Sequence, residues 1–173
     1  MPSIHFTPVA PDQVAALQSL THATFIAAYQ HKIAIEKMLE YLADAHSIDK
    51  LHKELTDPNV SYFFVQNEGQ NAGFIMLRSG FTHEGLSDDP VTYLHRIYLL
   101  PEFWGRGLAA PMMQFCEDFA RRQGSQWLWL QVWQENERAI AFYHKSGFEH
   151  FGFMPFYMGE ETHDDWVMRK RLL

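Results

Sequence analysis

Tyr93-Leu-His-Arg-Ile-Tyr-Leu-Leu-Pro-Glu-Phe-Trp-Gly-Arg-Gly-Leu-Ala109 is the stretch on which the fold turns. An apolar, β-branched and aromatic run reaches Leu100 and stops at Pro101, which reads as a strand. Gly105 and Gly107 bracket Arg106, and a helix-period segment follows with Leu108, Met112, Phe115 and Phe119 on one face. Glycines allow successive backbone N–H groups to converge, and a helix N-terminus adds roughly half a positive charge. A strand, a glycine turn and a helix start in succession suit a phosphate or pyrophosphate, although ordinary strand-to-helix turns use glycines too. The spacing is not the Gly-x-Gly-x-x-Gly dinucleotide fingerprint, and no Gly-Lys-Ser/Thr P-loop occurs.

Outward from that stretch the chain alternates period. Ile4 to Thr7 reads as a short strand, and Pro11-Asp-Gln13 opens a helix whose face is Val14, Leu17 and Leu20. Phe25, Ala28 and Tyr29 extend that pattern after an expected break. Ile35, Met38, Leu39 and Leu42 mark a second helix, and Ser47 caps a third that carries Ile48, Leu51 and Leu55 and ends at Asp57-Pro-Asn59. Val60 to Gln66 and Ala72 to Arg78 form a hairpin about Asn67-Glu-Gly69, followed by a loop from Gly80 to Pro90 that includes Ser87. The helix after the glycine turn runs to about Gln123, with Pro111 in its first turn. Gln126 to Trp133 is a strand covered on both faces, and Glu135 to Lys145 is a helix ended by Gly147. Phe148 to Met158 and Asp164 to Arg171 are the last strands. The sum is one mixed α/β sheet in a single domain spanning 1–173.

Composition narrows the function classes. At 47% hydrophobic and 20% charged, the chain is globular. No apolar run approaches the roughly 18 residues of a membrane span, and Met-Pro-Ser-Ile-His-Phe lacks a secretory signal pattern. Cys116 is the only cysteine, which excludes an internal disulfide and suits the cytoplasm. A net charge of −7, with Arg169-Lys-Arg171 as the one basic cluster, argues against nucleic acid and agrees with a cationic substrate, as it does with an ordinary acidic surface. The ten histidines show no His-Glu-x-x-His pattern, so no metal site is expected. No Gly-x-Ser-x-Gly elbow is present, and Cys116 on an apolar helix face reads as a buried, inert thiol.

Arg96 to Ala109, with Trp104-Gly-Arg-Gly-Leu-Ala109 at its end, resembles the acetyl-CoA motif of the GNAT superfamily of N-acetyltransferases, usually Gln/Arg-x-x-Gly-x-Gly/Ala. Asn136-Glu-Arg-Ala-Ile-Ala-Phe-Tyr-His-Lys-Ser-Gly-Phe148 is similar to the superfamily's Asn…Ala…Phe-Tyr…Gly-Phe signature, in the expected order. Met154 to Lys170, with Met158-Gly159-Glu160 inside it, resembles the tail of PaiA-type polyamine (spermidine/spermine) N-acetyltransferases, as do Thr24-Phe25…Tyr29 and Met38…Tyr41-Leu42.

That resemblance implies a GNAT fold, a mostly antiparallel central sheet of about seven strands flanked by helices. It implies acetyl-CoA as cosubstrate, a small-molecule amine such as a polyamine as acceptor, and direct attack in a ternary complex. Ile97, Tyr98 and Leu99 would line the pantetheine arm, with a backbone N–H near Leu99 polarising the thioester carbonyl. Trp104, Gly105, Arg106, Gly107, Leu108 and Ala109 would hold the pyrophosphate. Trp104 departs from the usual Gln/Arg, and its indole would either cover the cofactor or pack under the turn. Tyr143 stands where the superfamily places an acid near the sulfur; its alternative is a core aromatic, a part better suited to Phe142. Asn136 would bond the pantetheine amides, or serve as a helix cap, or both; Lys145 would reach the CoA phosphates or simply answer a helix C-terminus.

An alkyl ammonium, with pKa about 10.4, must lose a proton before it attacks. His95 occupies the position where related sequences often carry Glu, and is the candidate base, a histidine satisfied within the sheet being the alternative. Glu36 and Glu40 would bind a cationic acceptor or form solvated helix faces. Family habit and the C-terminal strands suggest a homodimer. A protein or peptide N-acetyltransferase and a weakly catalytic CoA-binding regulator are the competing readings.

Overall fold

In a computed structural model the chain is described over residues 3–86 and 88–173; Ser87, expected in the loop before the central strand, lies outside the described residues, as do Met1 and Pro2. The elements run β1 (Ile4–Pro8), α1 (Val14–Tyr29), α2 (Ile35–Ala45), α3 (Ile48–Thr56), β2 (Val60–Asn67), β3 (Gln70–Ser79), β4 (Val91–Leu99), α4 (Ala109–Arg122), β5 (Trp127–Val132), α5 (Glu137–Lys145), β6 (Glu149–Met158) and β7 (Glu161–Arg171). The sheet order is β1-β2-β3-β4-β5-β7-β6. β4 and β5 pair in parallel, whereas β1 with β2, β5 with β7 and β6 with β7 are antiparallel. This is the expected mixed, mostly antiparallel seven-stranded sheet with flanking helices.

Local chemistry explains the boundaries. Glu68 and Gly69, with φ of 52° and 79°, make the two-residue turn between β2 and β3, a geometry that closes hairpins because it matches strand twist. The Ser47 side chain accepts from Lys50 N, capping α3 as its residue type predicts. Pro111 sits in the first turn of α4, where its missing N–H is harmless.

Two expectations are corrected. α1 has no break between Leu20 and Phe25, because the Thr21 hydroxyl donates to Gln18 O at 3.0 Å and the Thr24 hydroxyl to Leu20 O at 2.8 Å. Two buried threonines thus bond the helix's own carbonyls, so polar positions that look like an interruption pack inside. On α4 the buried face is Met112, Met113, Cys116, Glu117 and Ala120, while Phe115 and Phe119 are half-buried. Glu117 holds that face because Lys170 of β7 pairs with its carboxylate.

The chain divides by its contacts into two compact units, Met1–Met76 with Arg96–Leu108, and Leu77–His95 with Ala109–Leu173. In the first, Leu17 and Leu20 of α1 and Leu51 of α3 close over Tyr62, Phe64, Phe74 and Met76 of β2 and β3. In the second, Val91, Tyr93, Trp129 and Val167 of β4, β5 and β7 form a cluster covered by Phe81, Leu86 and Phe151.

Candidate functional site

The glycine bend is anchored at both ends and open between them. Pro101–Phe103 forms one 3₁₀ turn, and Phe103 and Leu108 are buried while Trp104 to Gly107 are exposed. Gly105 and Gly107 have φ of 72° and 77°, the left-handed region that glycine enters at no steric cost. A Cβ at either would meet nothing within 4 Å, so the space beside both is open. α4 begins at Ala109 with no acidic residue in its first turn, leaving the helix N-terminus electropositive. Arg106 lies over the Phe103 ring with its guanidinium carbon 5.2 Å from the centroid. Trp104 is 40% exposed, and its indole N–H donates to Leu99 O at 2.9 Å, clipping the bend back onto the strand before it. This bend can hold an anion such as a diphosphate.

Ile97, Tyr98 and Leu99 occupy the end of β4, half-buried. Leu100 N donates to Ala72 O at 2.8 Å, so that N–H belongs to the neighbouring strand. Strand residues alternate the edge to which their polar groups turn, so Ile97 and Leu99 turn theirs to the other edge, where the Leu99 C=O accepts from the Trp104 indole. The Tyr98 side chain turns to the helices: its hydroxyl lies 3.1 Å from the Tyr29 hydroxyl and its ring stacks on Phe74 at 5.8 Å. Gly73, which carries no signal in the sequence, lies against this segment. A Cβ there would stand 2.0 Å from Tyr98 O and 3.0 Å from Leu99 Cα.

A second feature without a sequence signal is the buried ion pair behind β4. Arg96 reaches Glu54 of α3 at 3.5 Å and donates to the Tyr62 hydroxyl at 2.6 Å, and Tyr62 donates to Glu54 at 3.0 Å. Burial pulls the Arg96 guanidinium down, but Tyr62 and Glu54 beside it hold it net above its ordinary value. Burial, followed by Arg96 and His22, pushes His46 down to about 2, so that imidazole is neutral. No single residue type in the sequence announces this triad, because its members are far apart in the chain and each alone reads as a surface residue or a core aromatic.

In the second unit, β4 and β5 pair from Val91↔Trp127 to Leu94↔Leu130, and β4 continues to Leu99. His95 is the first β4 residue past that register, half-buried, with its ring 5.0 Å from that of Tyr93. Tyr93 stacks on Trp129 at 4.3 Å and its hydroxyl donates to Gln131 Oε1 at 3.3 Å. Gln131 Nε2 donates to Asp165 Oδ2 of β7 at 3.1 Å. Burial pushes the Asp165 carboxyl up to about 6, opposed by the Gln131 hydrogen bond and His163 and assisted by Asp164.

Asn136 caps α5, its Oδ1 accepting from Ala139 N at 3.3 Å. Tyr143, not Phe142, is the buried aromatic of that helix, which corrects the sequence expectation. Gly147, at φ 96°, turns the chain so that Phe148 N donates to Tyr143 O at 3.0 Å and the Phe148 ring packs 5.9 Å from that of Tyr143. Lys145 is exposed in the last turn of α5. Glu36 and Glu40 are exposed on α2. Cys116 is fully buried and burial holds its thiol far above the usual range. Among the described residues no group of three or more His, Cys, Asp or Glu side chains could hold a metal ion, and no helix is long and apolar enough to cross a membrane.

The model of the acetyltransferase (GNAT) family matches residues 16–148. The chain is 32% identical over 162 residues to an uncharacterized N-acetyltransferase of Mycobacterium bovis, covering 94% of this chain and 97% of that one. The fold is similar to the PaiA N-acetyltransferase of Thermoplasma acidophilum crystallised in complex with coenzyme A, with a TM-score of 0.78 at 18% identity over 98% of this chain and 99% of that one. It is also similar to mutant forms of the spermidine/spermine N-acetyltransferase SpeG of Vibrio cholerae, with a TM-score of 0.69 at 17% identity over 98% and 94%.

Proposed function

Since the chain belongs to the acetyltransferase (GNAT) family, we propose that it transfers the acetyl group of acetyl-CoA to a primary amine, a polyamine or related small amine. The observation that carries this reading is the Trp104–Ala109 bend, whose two left-handed glycines leave open space before a helix N-terminus free of acidic residues in its first turn. Its residues fit a diphosphate: backbone N–H groups of residues 105–109 would bind it, with Arg106 as the neighbouring charge, whereas the Trp104 N–H donates to Pro101 O at 3.0 Å and is not available to it. Acetyl-CoA, when bound, supplies the thioester. The backbone of Ile97, Tyr98 and Leu99 would align the arm, and the Leu99 N–H would donate to the carbonyl oxygen as negative charge grows there. Asn136, whose oxygen caps α5, would bond the arm through its NH2 group, and Lys145 would meet a phosphate.

His95 takes a proton from the acceptor's ammonium, the neutral nitrogen then forms the N–C bond as the C–S bond breaks, and the surplus proton on that nitrogen passes to solvent to leave the neutral amide. Tyr143 gives a proton to the departing sulfur, and solvent restores both groups. The polyamine assignment draws on the PaiA-like tail, Met154 to Lys170, on the likeness in fold to the spermidine/spermine N-acetyltransferase SpeG of Vibrio cholerae, and on the net charge of −7. Incubation with labelled acetyl-CoA and, separately, spermidine, spermine, amino-sugars and peptides tests it. Label on the polyamines is the expected result; label on peptides alone would reject the acceptor class and leave the transferase.

A further inference from the structure

Three side chains outside the proposed chemistry form one polar line in the second unit. Asp165 is 6% exposed, and its Oδ1 is buried with no hydrogen-bond partner while Oδ2 accepts from Gln131. An unsatisfied buried acceptor costs about 1–3 kcal/mol. Gln131 is held from both ends. Its NH2 group serves Asp165 at 3.1 Å and Pro155 O at 3.4 Å, which forces its Oε1 toward Tyr93. A carboxylate only accepts, so it dictates the polarity of the amide, and the amide dictates that the Tyr93 hydroxyl donates. The Tyr93 ring, so tied, has ring neighbours in Trp129 at 4.3 Å, Phe81 at 4.9 Å and His95 at 5.0 Å. Continuing the parallel register by one step, Gln131 is the β5 position opposite His95.

We propose that Asp165 and Gln131 are positioning residues for His95: the carboxylate orients the amide, the amide orients Tyr93, and the Tyr93 ring holds the imidazole where it meets the acceptor's ammonium. The role of this line in turnover rests on the His95 assignment made above; its role in orienting the ring does not. The other titratable groups that act on the carboxyl are His163 and Asp164 on β7 itself, and neither belongs to the line from Asp165 to Tyr93.

The experiment compares the parent with Asp165→Asn, His95→Asn and the double variant, reading kcat and KM for acetyl-CoA alongside the nitrogen resonances of the His95 imidazole in labelled protein. Asp165→Asn is expected to move those resonances, to lower kcat about 10-fold and to leave KM for acetyl-CoA unchanged. The double variant should be no slower than His95→Asn. Unmoved His95 resonances, or losses that multiply in the double variant, would overturn the proposal. If His95→Asn turns over like the parent, the base assignment falls, while the resonances of Asp165→Asn still decide the positioning. Should Asp165→Asn fail to fold, Tyr93→Phe, which removes only the hydroxyl, must move the same resonances or the proposal is lost.

Discussion

Gly73 and Tyr98 approach so closely that a Cβ on residue 73 would stand 2.0 Å from the Tyr98 carbonyl oxygen. The neighbour is main chain, which has no rotamer by which to yield. The absence of a side chain at residue 73 therefore sets how near the end of β4 can lie, and with it the Ile97–Leu99 segment proposed to align the pantetheine arm. Gly73→Ala should destabilise the fold by about 3 kcal/mol, at the upper end of overpacking costs, and displace this segment. Thermal and denaturant unfolding, with acetyl-CoA affinity measured on whatever remains folded, check it; a variant of parental stability would contradict it.

Arg96 and Glu54 have side chains only 10% and 16% exposed, and Tyr62 bonds both. Removing one member of such a pair strands the other charge away from water. Glu54→Ala is expected to cost about 3 kcal/mol, as measured by urea unfolding, whereas an exposed pair such as Lys50–Asp44 should be worth under about 1 kcal/mol.

The Asp165 carboxyl, raised from 3.8 to about 6 by burial, gives the fold a pH dependence of definite sign. Between those values the folded chain holds a proton that the unfolded chain has released, so stability falls as pH rises from about 4 to about 6 and stays lower above. A shift of about two units corresponds to about 3 kcal/mol. Asp165→Asn should remove that dependence, so that its stability relative to the parent improves on going from pH 4 to pH 7.5. Unfolding free energies at the two pH values test this, and an unchanged difference would contradict it.

Tyr143→Phe retains the ring that packs against Phe148 and deletes only the hydroxyl. Turnover should fall on the order of 10²-fold while acetyl-CoA affinity changes little, because the proton is needed only as sulfur departs. Titration and steady-state kinetics separate the two, and parental turnover would remove Tyr143 from the acid role.

Features whose cause is local were legible in the sequence. The strand–glycine–helix order around Gly105 and Gly107, the Ser47 and Asn136 caps, and Gly147 past the end of α5 all follow from one residue's conformational or hydrogen-bonding needs. Where tertiary packing decided, the sequence pattern misled. The stretch between Leu20 and Phe25 resembles a helix break until the Thr21 and Thr24 hydroxyls find carbonyls of the same helix, and Phe142 resembles the core aromatic until Phe148 folds back over Tyr143. Gly73, the Arg96–Glu54–Tyr62 triad and the Asp165–Gln131–Tyr93 line were invisible because each depends on strands brought together from distant parts of the chain. Of the proposed site, the backbone-built part is thus better written in the sequence than the side chains that surround it.

Titration calorimetry with coenzyme A, and in parallel with pantetheine, which lacks the diphosphate, tests the central claim most directly. A bend whose main-chain N–H groups grip a diphosphate should give saturable heat with coenzyme A and far weaker binding of pantetheine. Folded protein that evolves no heat with coenzyme A, or binds the two alike, would contradict the account.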